Sequence, residues 1–336
     1  MEARPGAAGP RRKSDQTRPK APEAAGGLRF AVPFAPLTPL PDRPVTRFAP
    51  APTGYLHLGH VVNAVFVWGI ARARHGRVLL RIEDHDRRRC LRQYEAALLE
   101  DLDWLGLEPD AGTTAELRAG PSPHRQRDRE SLYLQGLARL ELSHRVYACD
   151  CSRKDIALDG GDAFNEETRY GGRCRERGLS REVGRGLRVV IDERDERFVD
   201  AALGAQAQAP ARQCGDLLVR DRLGQWTYQF AVTVDDLEQG VNLVIRGRDL
   251  LASTGRQIRL ARMLGRPEPP VFLHHPLIVK PGGEKLSKAS HDTGIRELRA
   301  AGMAPEQVLG RAAFLAGIVA AERPVAVEAL GGLFRE

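Results

Sequence analysis

The stretch from Val45 to Ile82 restricts this chain more than any other part of its sequence. Val45 to Phe48 reads as a short strand and Ala49-Pro50-Ala51-Pro52-Thr53-Gly54-Tyr55 as a Pro/Gly loop. Leu58 to His75 carries apolar residues at helical spacing and ends at Gly76, and Arg77 to Ile82 reads as a second strand. Strand, helix, strand in that order predicts a parallel βαβ unit, since parallel neighbours require a crossover and the helix supplies it. The expected class is α/β with a Rossmann-type parallel sheet, whose ligands sit at the C-terminal ends of the strands.

The rest of the chain is organised around that unit. Leu91, Tyr94, Leu98, Leu99, Leu102 and Leu105 predict an amphipathic helix that stops near Gly106. Residues 119–215 are irregular, Arg-rich and Cys-containing, and read as an insertion subdomain between two halves of the nucleotide-binding domain, 45–118 and 216–290. In the second half, strands are expected over 216–220, 227–234, 242–246 and 271–279, with a helix over 249–264. Residues 291–336 are Ala-rich and expected to be helical, with room for two or three helices.

Composition narrows the function classes. Residues 1–44 hold nine of the 22 prolines, and eight Lys/Arg against four Asp/Glu, out of a net charge of +7 for the chain. That segment is expected to be a disordered tail, and the remaining body is only mildly basic, which permits a polyanionic partner without requiring one. No run of 18 apolar residues could span a bilayer, so a membrane role is not expected. Five cysteines with no secretory leader ahead of them point to a reducing, cytoplasmic setting, and a monomer is expected.

Three groups of residues carry chemistry. His57 and His60, in His57-Leu58-Gly59-His60 at the start of the first helix, can donate hydrogen bonds to a phosphate, and the helix N-terminus offers unpaired N–H groups. Gly59 lets a nucleotide lie close to the backbone. Lys285 and Lys288, in the Gly-flanked run Lys285-Leu286-Ser287-Lys288-Ala289, can close over a triphosphate. Cys149, Cys151 and Cys174, with the Tyr170 phenolate, could close a tetrahedral, structural zinc site. Eighteen residues separate Cys151 from Tyr170, and Cys214 or His144 are alternative fourth ligands. Arg47 and Arg246 are candidates to bind a carboxylate through the guanidinium fork.

The run Arg47-Phe48-Ala49-Pro50-Ala51-Pro52-Thr53-Gly54, the His57 to His60 motif and Lys285 to Ala289 together resemble the signatures of class I aminoacyl-tRNA synthetases, the glutamyl branch in particular. Arg81-Ile82-Glu83-Asp84-His85-Asp86 is similar to the motif of that branch which holds the α-ammonium group of glutamate, which implies that role for Glu83. The resemblance implies a glutamate pocket formed by Arg47, Phe48, Ala49, Pro50, Ala51, Glu83, Tyr228 and Arg246, and ATP binding by His57, Gly59, His60 and Lys288 with Mg²⁺. Cys149-x-Cys151…Tyr170-x-x-x-Cys174 resembles the Zn²⁺ site of the shortened paralogues that modify queuosine. Membership of that paralogue group implies L-glutamate and ATP as substrates, activation of glutamate without tRNA, a tRNA(Asp) carrying queuosine as acceptor, and no anticodon-binding domain, for which residues 291–336 are too short. A truncated glutamate–tRNA ligase charging an ordinary acceptor end, or a nonenzymatic tRNA-binding relative, are the alternatives.

Overall fold

In the computed structural model, residues 39–158, 169–278 and 294–335 are described. The tail over 1–38 and both signature lysines, Lys285 and Lys288, therefore lie outside the described residues.

The opening unit is β1 (Val45–Phe48), α1 (Leu58–Ala73) and β2 (Arg77–Leu80), and the two strands pair in parallel with Phe48 opposite Leu80. Helix α1 is buried along Val61, Val62, Ala64 to Ile70 and Ala71, so it is a central helix with apolar contacts all round rather than a surface one. α2 (Arg92–Leu105) ends before Gly106, as its periodicity predicts. α3 (Thr114–Ala119) and α4 (Glu130–Ser143) follow.

Next come β3 (Val146–Cys149), α5 (Arg153–Leu158), β4 (Gly186–Val189), β5 (Glu196–Asp200), β6 (Gly204–Gln208), α6 (Pro210–Cys214) and β7 (Leu217–Arg220). β3, β4 and β7 form a small antiparallel sheet that carries the cysteines. β5 and β6 do not join it. They belong to a four-stranded sheet in the order β6-β5-β9-β8, with β8 (Leu243–Gly247) and β9 (Val271–His275) parallel and the β5–β6 hairpin antiparallel. Asn242 ties this sheet to the first unit, since Val45 N–H donates to its side-chain oxygen at 2.8 Å and its own N–H donates to Val45 O at 3.0 Å. The sheet is thus mixed rather than wholly parallel. Residues 196–208, read from sequence as insertion, pair with β9 of the four-stranded sheet, while 217–220, read as part of the second nucleotide-binding half, pair with the cysteine sheet.

One element is of a different type from that expected. Residues 227–234 read as a strand but form the start of α7 (Tyr228–Glu238). Phe230 through Asp236 are all buried, Thr233, Asp235 and Asp236 included, and the run Val232-Thr233-Val234 is β-branched, which mimics a strand. The helix expected over 249–264 begins with a 3₁₀ segment, Arg248–Ser253, before α8 (Thr254–Met263). α9 (Ile295–Ala300), α10 (Pro305–Leu315) and a 3₁₀ segment (Val327–Phe334) pack behind α1.

Candidate active site

At the mouth of the first βαβ unit, His57 is the N-cap of α1. Its Nδ1 accepts from Gly59 N–H at 3.1 Å, and His60 Nδ1 accepts from His57 N–H at 3.2 Å, with the two rings 4.0 Å apart. Orphan helix donors are satisfied in this way by imidazoles instead of the usual Ser or Asp. Because each Nδ1 accepts, the proton of the neutral ring is on Nε2, where it can donate to an anion. A Cβ at Gly59 would stand 2.9 Å from His57 Cε1, so the glycine also makes room for the folded-back ring.

The 47–51 run is stapled to the strand beside it. Arg81 N–H donates to Phe48 O at 2.9 Å and Glu83 N–H to Pro50 O at 3.1 Å. Arg47 and Glu83 are both buried at this edge, whereas the Phe48 side chain turns into the core against Trp68, 5.4 Å between ring centroids. Ala51 is exposed.

Beneath the loop lies a buried ionic lattice that sequence reasoning did not assemble. Arg47 Nε donates to Asp236 Oδ1 at 3.1 Å, and Arg81 donates to the same oxygen at 2.8 Å and to Glu83 Oε1 at 2.9 Å. Asp235, the next residue, accepts from Arg129 Nε at 2.7 Å, Gln126 Nε2 at 2.8 Å and the Tyr133 hydroxyl at 3.0 Å. Burial by itself disfavours a charge on Arg81, but Asp236, Glu83 and Asp235 outweigh it and hold the guanidinium above its ordinary value. The sequence signal for this lattice was an arginine inside the apolar strand Arg77-Val78-Leu79-Leu80-Arg81-Ile82 and an acidic pair at the end of a wholly buried run.

Arg246, at the end of β8, is 3% exposed. Its Nε donates to His274 Nε2 at 3.0 Å, Nη1 to Gln257 Oε1 at 2.7 Å and Nη2 to Thr254 Oγ1 at 2.9 Å. No carboxylate among the described residues forms an ion pair with it, and burial draws its guanidinium below its ordinary value. Tyr228 lies between the two charged sides of the site: burial, then the charge of Glu83, pushes its phenol up, while Arg246 pulls the other way. The arrangement gathers a buried carboxylate, a phenol and a buried guanidinium that has no ion-pair partner among the described residues. Such a pocket suits a small ligand that carries an ammonium group and a distal carboxylate.

The cysteine group is a separate site. The sulfurs of Cys149, Cys151 and Cys174 all lie within 4.8 Å of one another. The Tyr170 hydroxyl stands 3.6 Å from Cys149 Sγ and accepts from Cys174 N–H at 2.8 Å. Cys214 is turned away, its thiol against Pro210 O at 3.1 Å, and His144 is partly exposed at the end of α4. Gly215, beside Cys214, has φ +68, and a Cβ there would stand 1.8 Å from Tyr170 O, so a glycine is needed where Tyr170 bridges to it. Burial works against ionising Cys149, but hydrogen bonds from Tyr170 and Arg188 bring its thiol below the ordinary value; burial and the neighbouring sulfurs push Cys151 up to about 12. Three thiols and a phenol at this spacing are a donor set that fits zinc.

Residues 44–325 match the family of tRNA synthetases class I (E and Q), catalytic domain. A Glutamyl-Q tRNA(Asp) synthetase of Symbiobacterium thermophilum is 41% identical over 299 residues, covering 86% of this chain and 91% of that protein. Glutamate--tRNA ligase 2 of Syntrophus aciditrophicus is 36% identical over 292 residues, 84% of this chain but 59% of its own length, so the chain spans about three fifths of that ligase. Among solved structures, a glutamate-tRNA synthetase from Elizabethkingia anophelis superposes with a TM-score of 0.70 at 25% identity, over 88% of this chain and 66% of that one. Among the described residues, no helix is long and apolar enough to cross a membrane.

Proposed function

Since the chain belongs to the catalytic-domain family of class I glutamyl- and glutaminyl-tRNA synthetases and is thereby a ligase, we propose that it activates L-glutamate with ATP as the adenylate, without tRNA, and passes glutamate to queuosine in tRNA(Asp). The observation that carries the glutamate half is the charge pattern of the pocket. Among the described residues the hydrogen-bond partners of Arg246 are neutral, so its charge is left for the side-chain carboxylate of the substrate, while Glu83 receives the α-ammonium group. Tyr228 lines the pocket between them and Arg47 supports Asp236 from below.

In the reaction, the α-carboxylate oxygen of glutamate attacks the α-phosphorus of ATP and the bond to the β,γ-pyrophosphate breaks. The electron pair leaves with pyrophosphate. His57 and His60 donate through Nε2–H to the phosphate oxygens as charge builds, and Lys285 and Lys288 are proposed to neutralise the departing group. Mg²⁺, arriving with ATP, supplies further charge neutralisation. The adenylate carbonyl is then attacked by a hydroxyl of the acceptor, releasing AMP. No protein nucleophile is required.

Zinc at Cys149, Cys151, Tyr170 and Cys174 would be structural, because four protein ligands leave no open position. The queuosine half rests on the 41% identity to a glutamyl-Q tRNA(Asp) synthetase whose length this chain nearly spans.

The test is glutamate-dependent exchange of labelled pyrophosphate into ATP, first with no tRNA and then with unfractionated tRNA, using glutamine and aspartate as controls. Exchange with glutamate alone supports the proposal. Exchange only after tRNA is added would favour an ordinary glutamate–tRNA ligase, and silence in both would remove the adenylating activity. Transfer is then measured on tRNA(Asp) with and without queuosine; equal labelling of both would overturn the acceptor.

A further inference from the structure

Arg246 and His274 are direct cross-strand partners in the parallel β8–β9 pair, and Asp200 on β5 stands one strand further on. Asp200 and His274 are fully buried. Asp200 Oδ2 is 2.6 Å from His274 Nδ1, and His274 Nε2 is 3.0 Å from Arg246 Nε. The other oxygen of Asp200 cannot leave, because it accepts from Ala202 N–H and Leu203 N–H at 3.0 Å each and from His274 N–H at 3.4 Å.

This geometry fixes a proton. A carboxylate only accepts, so His274 carries its hydrogen on Nδ1, and Nε2 of the neutral ring is left as the acceptor for Arg246 Nε–H. Burial pushes the imidazole below its ordinary value, and the opposing pull of Asp200 does not overcome it, so the ring stays neutral. The other hydrogen-bond partners of Arg246 among the described residues are neutral as well: Thr254 Oγ1 and Gln257 Oε1, the latter oriented by its own amide, which donates to Gln229 Oε1 at 2.8 Å. Three bonds hold the guanidinium in place and none cancels its charge. Asp200 acts through the imidazole instead of forming an ion pair with the arginine.

We propose that His274, with its tautomer set by Asp200, is a positioning residue for Arg246 that orients the guanidinium without neutralising it and so makes the pocket prefer a carboxylate over a carboxamide side chain. The proposal rests on the reading of Arg246 as partner of the glutamate side chain. A carboxylate in place of His274 would orient Arg246 equally well but would take the charge intended for the ligand.

Asp200→Asn is the informative variant, because it keeps the shape and the two turn bonds of Asp200 while reversing the proton. The Asn amide N–H₂ faces Nδ1, the ring takes its hydrogen on Nε2, and two donors then oppose each other at Arg246. Pyrophosphate exchange is measured with unfractionated tRNA present, so that either mode of activation is visible, alongside thermal melting. We expect Asp200→Asn and His274→Phe to raise the KM for glutamate by about tenfold or more, with the KM for ATP within about twofold and the preference for glutamate over glutamine reduced. His274→Gln, which can offer a neutral acceptor to Arg246, should recover part of the loss. Folded variants whose glutamate KM stays within about twofold of the parent, or whose glutamate and ATP KM rise together, would overturn the proposal. Should His274→Phe fail to fold, Asp200→Asn and His274→Gln decide by the same criteria. Arg246→Gln separates the two levels: loss there with normal Asp200→Asn overturns only this inference, and no loss there overturns the reading of the pocket and the inference with it.

Discussion

At the pocket, Arg47, Arg81 and Arg129 have side chains no more than 5% exposed, and they reach Asp236 and Asp235 across sequence separations of 189, 155 and 106 residues. On the cysteine sheet, Arg145 pairs with Glu176 across 31 residues, the two side chains 50% and 77% exposed, and Arg177 pairs with Asp150 at 44% and 38%. Both regions use arginine and acids, but the first buries both partners of its pairs, whereas on the cysteine sheet the best-buried pair, Asp216 with Arg175, keeps its arginine 40% exposed. A buried pair therefore fixes where β1, β2 and α7 meet, because breaking it strands a charge, whereas an exposed pair returns each partner to solvent at little cost. The cysteine sheet is held by the thiol cluster, by an apolar cluster it shares with α4, α7 and α8, and by Asp216, which Tyr147 and Arg175 bind. The pocket carries its own organisation, and the cysteine sheet is proposed to borrow some from a metal.

The sharpest way to break that contrast is Asp236→Ala, which leaves Arg47 Nε and an Arg81 N–H without their shared acceptor. Urea unfolding should show a loss of about 3–5 kcal/mol at neutral pH. Burial alone would raise the Asp236 carboxyl, but Arg47 and Arg81 hold it below the usual carboxylate range. A folded value below the unfolded one gives stability that is present at neutral pH and disappears as acid titrates the folded carboxylate. The gap between parent and variant should accordingly be widest near neutrality and narrow only in acid. A loss under about 1 kcal/mol would mean that the two arginines find other partners, and the pocket would then behave like the surface.

Removal of the proposed metal comes next in size. Cys174→Ser, or dialysis of the parent against a chelator, should lower bound zinc from one per chain towards none. Stability should fall by about 2.7 kcal/mol if free zinc stood at a hundredfold its dissociation constant. Amide exchange should speed up first in β3, β4 and the segment around Cys174, with α1 and β8 protected as before. Metal content unchanged in Cys174→Ser, or fastest exchange at the pocket strands, would remove the distinction drawn between the two regions.

The same contrast governs what could be read from the sequence. β1, α1, β2 and the end of α2 are local patterns, strand or helix with a glycine stop, and they stand where the residues predict. The thiol trio was legible because its members are close in sequence and few residue types bind zinc. The lattice was not, because Arg81, Arg129, Asp235 and Asp236 are partners only after the sheet has assembled, and nothing local distinguishes Asp235 from a solvated acid. Tyr228–Glu238 was hidden because Phe230 through Asp236 are buried whether polar or not, and its β-branched Val232-Thr233-Val234 favours a strand. His274 escaped notice for a related reason: a histidine inside Val271-Phe272-Leu273-His274-His275 looks like an incidental core residue until β9 sets it opposite Arg246.

The smallest effect is expected from Glu176→Gln. Arg145 donates to both carboxylate oxygens, at 2.7 and 2.9 Å, and this bond holds the Glu176 carboxyl below its ordinary value. Geometry of that quality would look strongly stabilising if distances alone were consulted. Both side chains are at least half exposed, however, so water stands ready to replace either partner and salt screens what remains. The unfolding midpoint of Glu176→Gln should coincide with that of the parent, and raising the salt towards 1 M should move the Glu176 carboxyl back towards its ordinary value. A destabilisation comparable to that of Asp236→Ala would show that the cysteine sheet is held by its surface charges, and the part given to the thiol cluster would have to be reassigned to them.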